Sequence, residues 1–524
     1  MLPLLTAQQM RLCDQYTIQE LHIPSRTLME RAAHSAIDVM KTELTLLPTT
    51  RIIALCGSGN NGGDGFAMAR FLFDEGYDVT VCYGGSWSDT EPDTARMSVE
   101  CAVQYDLWQL GGGKTLATLP KLKPHSTIVI DALFGIGLDR PVVGHAAEWI
   151  DAVNAAARQG ELSVLSVDIP SGICANTGRV LGSAIRADVT ATMAYPKTGL
   201  LLYPGAAHAG RVKVCDIGIT TQTLDNTVHT WLVTPTDLAP ILDRPAYANK
   251  GTFGRVLVIG GFPGMCGAAY LAAKSAYRTG CGLVEIMSAE QNRIPLQTLL
   301  PEAVFTPFDP SSIPSDNEIS AILARADAVV LGCGLGQSDA ARALTMQVIR
   351  LCQAPLVLDA DALNLVAVHE PLQGLLRART APTVLTPHLG EAARLSGLDV
   401  PRIASDLITT ASDLAQNYHA TCVLKDARTV ISDGTMQYIQ TQGNSGMATG
   451  GSGDCLGGII ASLLAQHRVN STLSSTMLAS LGVLLHAMAG DAAAKALGEH
   501  ALMAGDIADA VGEVLKTASQ SKQP

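Results

Sequence analysis

A glycine-rich run from Gly443 to Ala465 is the strongest chemical signal in the sequence, because it passes directly into an apolar helical stretch. Within it, GGSGD places unshielded backbone N–H groups at the start of that helix, an arrangement that binds anions such as a terminal phosphate. Asp454 falls in the first turn, where a carboxylate can act as a base beside the phosphate. Helix capping is the alternative for Asp454, and the density of glycine around it favours a phosphate site.

A second glycine-rich run, CGSGNNGGDGFAMAR from Cys56 to Arg70, follows a strand-like segment and opens a helix. Its glycines and N–H groups predict a nucleotide-like ligand at the carboxyl end of that strand. The spacing of the glycines differs from the dinucleotide fingerprint, and no acidic residue stands cleanly at a second strand end to bind a ribose. Ordinary Rossmann dehydrogenase chemistry is therefore disfavoured.

Two aspartates, Asp131 and Asp168, stand at further strand ends of the same half. Because the carboxyl ends of parallel strands meet at one edge of a sheet, both are expected to face the glycine-rich loop. Either one alone fits a helix cap or a turn equally well, whereas two beside such a loop favour a site. Asn, Asp and Ser oxygens converging there would suit a hard cation.

Near-continuous apolar segments alternate with helical patterns along both halves, which predicts parallel sheets covered on both faces and an α/β fold throughout. The predicted strands of the first half are Arg51–Cys56, Asp78–Tyr83, Thr127–Phe134, Ser163–Ile169, Asp188–Ala194 and Arg211–Ile217. Those of the second half are Arg255–Ile259, Leu283–Met287, Ala328–Leu331, Leu356–Leu358, Thr383–Leu385 and Cys422–Leu424. From about Thr220 to Gly251 the pattern loosens, so we predict domains at 1–225 and 226–524.

The composition fits two globular domains and excludes several classes of function. With 47% hydrophobic and 16% charged residues there is ample material for sizeable cores. The formal net charge of -12 argues against a nucleic-acid partner. Twelve cysteines without metal-ligand spacing are predicted to be reduced core thiols. Without a signal-peptide pattern or an apolar run of about 20 residues, a cytoplasmic protein with no membrane partner is expected.

The first half resembles the epimerase domain of NAD(P)H-hydrate repair enzymes in four motifs, LMERAA, NNGGDG, DALFGIGLDRP and DIPSG. The resemblance implies a Rossmann-like three-layer domain. It implies that the hydrated cofactor contacts Asn60, Asn61, Gly62, Gly63, Asp64, Gly135, Ile136, Gly137, Leu138, Asp139, Arg140, Pro141 and Asp168. It also implies a potassium ion held by Asn61, Asp131 and Ser171.

The implied reaction interconverts the R and S configurations at the hydroxylated carbon of the reduced nicotinamide ring. That carbon also bears the ring nitrogen, so departure of hydroxide leaves a cation that nitrogen stabilises, and return from the other face inverts the centre. A carboxylate that handles the hydroxyl proton is sufficient help. We expect Asp168 to have this role, with Asp131 as the second candidate because the ion would occupy it.

The second half resembles the ribokinase-like superfamily in its GGSGD loop. Four further ordered motifs, NKGTFGRVLVIGGFPGMCGAAYLAA, GCGLG, LDADALN and TPHLGEAARLSG, are similar to the NAD(P)H-hydrate dehydratase domain, and the resemblance spans most of Asn249 to Ile507. It implies that the hydrate contacts Ala268, Gly334, His388 and Asp454. It implies that the adenine nucleotide contacts Lys425, Asp426, Ala427, Arg428, Thr429 and Gly453.

In the implied dehydration Asp454 deprotonates the hydrate's hydroxyl, which attacks the terminal phosphate of ADP, and phosphate then leaves to restore NAD(P)H with release of AMP. Magnesium would neutralise the phosphate oxygens. ADP is expected over ATP, although Asp426 and Arg428 depart from the family's pattern and bear on nucleotide preference. Asp359 and Asp361 are candidate ion or substrate contacts, with turn capping as the alternative. His388 alone would more often be a structural hydrogen-bonder than a catalyst.

Together the two halves predict a bifunctional metabolite repair enzyme, expected to be a homo-oligomer, that acts on hydrated NADH and NADPH with ADP. A small-molecule kinase in the second half is the alternative, because the same anion hole and aspartate would serve a hydroxyl whose phosphate ester stays intact. A third interpretation treats the first half as a ligand-sensing or protein-binding module. The presence of both Asp131 and Asp168 makes this less favoured.

Overall fold

The computed structural model describes residues 1–122, 126–224, 227–309, 311–466 and 472–520. The contacts divide the chain into an N-terminal unit, Pro3–Val228, and a C-terminal unit that comprises Met1–Leu2 and the chain from His229 onward. The division predicted between residues 225 and 226 lies outside the described residues. Each unit has its own sheet.

The N-terminal unit is built on a sheet in which every described strand pair is parallel. In order across the sheet, the strands are Arg211–Cys215, Val189–Met193, Leu162–Val167, Thr127–Ala132, Arg51–Cys56, Asp78–Tyr83 and Thr115–Leu116. The longer helices are Ala7–Gln19, Ser25–Glu43, Asn60–Asp74, Val99–Leu110 and Gly144–Arg158. Ile52 packs with Phe66 on one face, and Ile53 packs with Trp149 on the other. The predicted three-layer α/β arrangement is confirmed.

The C-terminal unit has a larger sheet, also mainly parallel. In order across the sheet run Thr230–Leu232, Gln437–Gln440, Thr429–Ser432, Thr421–Leu424, Thr383–Leu385, Leu356–Leu358, Ala328–Leu331, Arg255–Ile259, Leu283–Ala289 and Val304–Phe308. The three strands between 421 and 440 pair antiparallel. The helices are Cys266–Thr279, Arg293–Leu299, Asp316–Leu323, Asp339–Leu351, Asp361–Val368, Glu370–Arg377, Leu389–Ser396, Val400–Ser405, Leu407–Tyr418, Ser452–Ala465, Ser475–Leu497 and Ala504–Gln520. The predicted α/β class is confirmed for this unit.

Several strands begin and end where the apolar pattern predicts them, and the differences have local causes. The strand predicted as Thr127–Phe134 ends at Ala132, because Leu133 and Phe134 already belong to a loop that lines a cavity. The strand Thr230–Leu232 lies within the segment that the sequence indicated as a join, and it is only half-buried. Val304–Phe308 is an edge strand with exposed positions, which leaves it without a continuous apolar run.

The helix Ser475–Leu497 is long and apolar enough to span a membrane by length and composition alone. Among the described residues it alone meets that test, which the sequence analysis did not anticipate, and 72% of its apolar window is buried inside the unit. Leu478, Leu481 and Leu485 pack in the same apolar cluster as Ile459 of the helix Ser452–Ala465. We therefore interpret it as a core helix.

All twelve cysteines lie within the described part of the chain, and all are free thiols. Ten are buried, while Cys174 and Cys266 are half-exposed. The prediction of reduced core thiols is confirmed for the ten.

Candidate active sites

A cavity of about 700 Å³ opens in the N-terminal unit at the carboxyl ends of its central strands. Of the residues expected to contact the hydrate, those that line the cavity are Asn60, Asn61, Asp64, Gly135, Ile136, Gly137, Leu138, Asp139, Arg140 and Asp168. Gly62, Gly63 and Pro141 are absent from its lining. The glycine-rich loop, the loop after Ala132 and the end of the strand Leu162–Val167 therefore meet at one cavity.

Gly62 and Gly63 serve close packing at the start of the helix Asn60–Asp74. A Cβ on Gly62 would lie 1.9 Å from the carbonyl oxygen of Gly57, and one on Gly63 would lie 2.7 Å from the Met29 side chain. Gly59, the N-cap of this helix, offers no side-chain cap. No side chain therefore caps the N–H groups of the first turn, which leaves them available for the anion that the sequence predicts.

Asp168 is held in a left-handed backbone conformation, with φ of 67°, directly after the strand Leu162–Val167. Its Oδ1 accepts hydrogen bonds from Lys197 Nζ at 2.5 Å and from the Met193 N–H at 3.1 Å. Lys197 is fully buried and also donates to Thr192 Oγ1 at 3.0 Å and to the Met193 carbonyl at 2.9 Å. A left-handed aspartate is strained, so tight surroundings must hold it. Lys197 also lines the cavity and was missed in the sequence analysis.

Asp64 lines the same cavity from the helix Asn60–Asp74. Within the described residues no group donates a hydrogen bond to its carboxyl. Burial raises the pKa of Asp64 well above the usual value, and the nearby charges of Asp168 and Asp14 add to the effect. Two carboxylates of unequal environment therefore face one cavity.

Asp131 is buried beneath the loop and does not line the cavity. Its oxygens accept hydrogen bonds from Ser171 Oγ at 2.5 Å, from the Ser171 N–H at 2.8 Å and from Ser166 Oγ at 2.7 Å. Burial raises the pKa of Asp131, and the bonds from Ser171 and Ser166 oppose that shift. Ser171 Oγ also accepts from the Phe134 N–H at 2.9 Å.

Asn61 lies on the other side of the same loop, because a Cβ on Gly135 would be 3.2 Å from Asn61 Oδ1. Its Nδ2 is buried and without a hydrogen-bond partner among the described residues, so the protein alone does not fix the orientation of that amide. The three residues predicted to hold potassium therefore flank one short stretch of backbone, and their oxygens suit a hard cation.

In the C-terminal unit, Asp454 lies in the first turn of the helix Ser452–Ala465, after the left-handed Gly451. Its carboxylate, the Cys333 thiol and the Asp359 carboxylate have ligand atoms within 4.8 Å of one another. Burial raises the pKa of Asp454 to about 6, with a smaller lowering by a hydrogen bond from Cys333 and by Lys425. The charges of Asp359 and Asp361 raise it further. A base with this pKa is largely ionised at neutral pH.

Lys425 directly follows the strand Thr421–Leu424, and its Nζ donates to Asp359 Oδ1 at 2.8 Å. This ion pair lies against the helix start, since a Cβ on Gly453 would be 3.2 Å from Lys425 Nζ. The predicted nucleotide contacts Lys425 and Gly453 are thus brought together. Asp426, Ala427 and Arg428 form the turn to the strand beginning at Thr429, and Arg428 donates to the Thr441 carbonyl.

The predicted hydrate contacts Ala268 and Gly334 are neighbours. A Cβ on Gly334, whose φ is 59°, would lie 3.2 Å from the Ala268 side chain. Asp361 accepts a hydrogen bond from the Gly336 N–H at 2.8 Å, which fastens the GCGLG loop. Ala360, between the two candidate aspartates, has a left-handed φ of 49°. The backbone just after the strand Leu356–Leu358 is therefore strained, at the position where the sequence predicts ion or substrate contacts.

His388 caps the helix Leu389–Ser396, because its Nδ1 accepts from the Gly390 N–H at 2.9 Å. Glu391 completes the capping box by accepting from the His388 N–H at 2.9 Å. Burial and the charges of Lys425 and Arg394 lower the pKa of His388, whereas burial raises that of Glu391 to about 7. The structural role considered for His388 is present. Its Nε2 lies 3.5 Å from Glu391 Oε1, and a substrate contact through the half-exposed imidazole stays a prediction. Glu391 is not among the residues predicted from the sequence.

Comparisons with known proteins cover both units. A family model described as NAD(P)H-hydrate dehydratase matches residues 256–512, and one described as YjeF-related protein N-terminus matches residues 25–199. The bifunctional NAD(P)H-hydrate repair enzyme Nnr of Moorella thermoacetica is 37% identical, with 98% of this chain and 96% of that protein covered. The protein of the same name from Coxiella burnetii is 35% identical, with 93% of this chain and 94% of that protein covered. A solved ADP/ATP-dependent NAD(P)H-hydrate dehydratase from Bacillus subtilis, co-crystallized with ATP/Mg2+, is 27% identical, covers 53% of this chain and 94% of its own, and has a TM-score of 0.44.

Proposed function

The chain belongs to the family of bifunctional NAD(P)H-hydrate repair enzymes, and we propose that its two units divide the two activities. The N-terminal unit epimerises the R and S hydrates of NADH and NADPH. The C-terminal unit dehydrates the S epimer at the expense of ADP. The observation that supports this division is the presence of a separate carboxylate site beside a helix start in each unit.

In the N-terminal unit, the hydrate occupies the cavity with its phosphates toward the open start of the helix Asn60–Asp74. Its hydroxylated ring carbon lies near Asp168, whose carboxylate Lys197 holds in place. Potassium would be held by Asn61, Asp131 and Ser171, and it would supply a positive charge at the loop carrying Gly135. Asp131 acts as an ion ligand rather than as the acid or base, because its oxygens are buried outside the cavity lining.

In the C-terminal unit, the terminal phosphate of ADP lies at the start of the helix Ser452–Ala465, with Lys425 beside it. Asp454 takes the proton of the hydrate's hydroxyl, and that oxygen attacks the phosphate. Phosphate then leaves with the C–O electron pair, and loss of a proton from the adjacent ring carbon forms the double bond of the reduced ring. Magnesium would be held by Asp359 and Asp361, whose carboxylate oxygens suit it, and would neutralise phosphate charge. The protein acts in the cytoplasm as a homo-oligomer.

The test is recovery of reduced-nicotinamide absorbance from a mixture of R and S NADPH hydrate with ADP and magnesium. Wild type should restore the full amount, Asp454→Ala none, and Asp168→Ala the S fraction followed by a slow phase set by spontaneous epimerisation. Asp339→Ala, a side chain 91% exposed, is the matched control and should behave as wild type. A wild type that restores no absorbance with ADP or ATP would refute the dehydratase assignment.

A small-molecule kinase is the competing function for the C-terminal unit, and the same assay separates the two. A kinase accumulates a phosphate ester, whereas the dehydratase releases inorganic phosphate in proportion to the NADPH restored. Phosphate release that matches the absorbance gain, and that stops in Asp454→Ala, supports the dehydratase.

A further inference from the structure

Inversion through a planar cation requires two proton transfers, one to the departing hydroxyl and one from the water that enters on the opposite face. Resting on the proposed epimerase function, we infer that Asp64 is the general acid of the N-terminal site and that Asp168 is its partner base. From the sequence, Asp64 is expected only to contact the hydrate, and Asp131 is the second candidate for the acid or base. The structure favours Asp64 because it lines the cavity and Asp131 does not.

The surroundings of the Asp64 carboxyl differ from those of Asp168 and Asp131. The Asp168 carboxyl accepts hydrogen bonds from Lys197 Nζ and the Met193 N–H. The Asp131 carboxyl accepts hydrogen bonds from Ser166 Oγ and Ser171 Oγ. Within the described residues, no donor reaches Asp64. Its pKa is raised by burial and by the charges of Asp168 and Asp14. A carboxyl whose pKa is raised and which accepts no hydrogen bond from the protein is suited to hold a proton and donate it.

Among the described residues, Lys197 donates to the Asp168 carboxyl and not to that of Asp64. Its three N–H donors are all used, on Asp168 Oδ1, Thr192 Oγ1 and the Met193 carbonyl. The ammonium therefore has no donor left for substrate, and its charge-assisted hydrogen bond holds the Asp168 carboxyl in a fixed orientation. Lys197 is therefore a positioning residue for the base Asp168, and we assign the transferable proton to Asp64, to which Lys197 does not donate.

Asp64 gives its proton to the hydroxyl on the ring carbon, the C–O bond breaks with its electron pair on oxygen, and water departs. The lone pair of the ring nitrogen forms the C=N bond of the cation. Water then adds to the opposite face while Asp168 accepts its proton, and the nitrogen recovers its lone pair. Transfer of the proton from Asp168 back to Asp64, through water in the cavity, resets the site.

The test uses the full-length protein and purified R hydrate without ADP, with R-to-S conversion followed by NMR. Asp64→Asn preserves size and removes the transferable proton, so the conversion rate should fall by about 100-fold or more. Dehydration of purified S hydrate with ADP by the same preparation should be unchanged, which shows that the chain is folded and the C-terminal site intact. Asp74→Asn, exposed at the end of the same helix, is the control and should retain the wild-type rate.

A second measurement covers the case in which Asp64→Asn does not fold. The wild-type conversion rate should fall at alkaline pH as Asp64 loses its proton, and the groups that face it are Asp168, Asp14, Cys56 and Cys101, with Lys197 beyond Asp168. A wild type that epimerises with a flat alkaline profile, or a folded Asp64→Asn within tenfold of the wild-type rate, overturns the role of Asp64. A wild type that dehydrates S hydrate yet never converts R hydrate instead refutes the proposed epimerase function.

Discussion

Gly458 packs against the backbone of Ala272 so closely that a Cβ on Gly458 would stand 2.0 Å from the Ala272 carbonyl oxygen. Gly458 belongs to the helix Ser452–Ala465, which carries Asp454, and Ala272 belongs to the helix Cys266–Thr279. The absence of a side chain sets how closely the two helices approach. The neighbouring Gly457 has no such constraint, because its nearest contact would be Val330 Cγ1 at an ordinary 3.5 Å.

These two glycines give a matched test of packing. Gly458→Ala should lower the free energy of unfolding by about 2 kcal/mol or more, because backbone atoms must move apart. Gly457→Ala should leave it unchanged or raise it by up to about 1 kcal/mol, since alanine is the better helix former. Urea unfolding of the full-length chain, followed together with dehydratase activity, measures both. Equal losses in the two variants would contradict the contact.

The Lys197–Asp168 pair predicts that the stability and the epimerase activity of the N-terminal unit depend strongly on the buried Lys197 ammonium. Lys197→Met should destabilise the unit by about 3–5 kcal/mol and remove epimerase activity, because it leaves an unpaired buried carboxylate. The double variant Lys197→Met/Asp168→Asn should recover part of the stability without recovering activity. Thermal unfolding measures this. Lys213→Met, a half-exposed lysine paired with Glu43, is the control and should have little effect.

The raised pKa of Asp454 predicts where the dehydration rate falls at acid pH, the acid limb of its pH profile. A base must be ionised to accept a proton, so the rate on S hydrate should fall as the pH drops through about 6. Cys333→Ala removes the hydrogen bond that lowers this pKa, so the limb should move to higher pH, whereas Cys352→Ala, a buried thiol elsewhere, should not move it. An unchanged limb in Cys333→Ala would show that the thiol does not act on Asp454.

His388 allows its cap and its predicted substrate contact to be separated. His388→Asn retains a good N-cap acceptor and should keep wild-type stability, whereas His388→Ala should lose about 1 kcal/mol. If the exposed imidazole contacts the hydrate, both variants should raise KM for S hydrate while the two differ in unfolding midpoint. A KM unchanged in both variants would leave His388 with the capping role alone.

Much of the fold was predictable because strands buried on both faces form continuous apolar runs. Arg51–Cys56 and Ala328–Leu331 were predicted with their observed limits for this reason. The strand Thr429–Ser432 was missed, since its pattern depends on antiparallel partners that no local signal shows.

Some residues of the two candidate sites could be predicted from the sequence, and others could not. Residues at strand ends and in glycine-rich loops, such as Asp168 and Asp454, could be selected from the sequence because topology brings such positions together. Lys197 could not, because a lysine between proline and threonine has the pattern of a solvent-exposed turn, and only the tertiary fold buries it against Asp168. The lack of a donor to Asp64 is equally a property of the packed cavity.

The burial of the cysteines determines how this protein should respond to oxidants. Thiolates react with peroxide and thiols do not, and burial raises the pKa of Cys82 and Cys101 to about 12 and that of Cys455 to about 11. At neutral pH a thiol of pKa about 11 is ionised only to about one part in 10⁴. Peroxide should therefore reach the half-exposed Cys174 and Cys266 first, and the buried thiols beside both catalytic sites should stay reduced without added reductant.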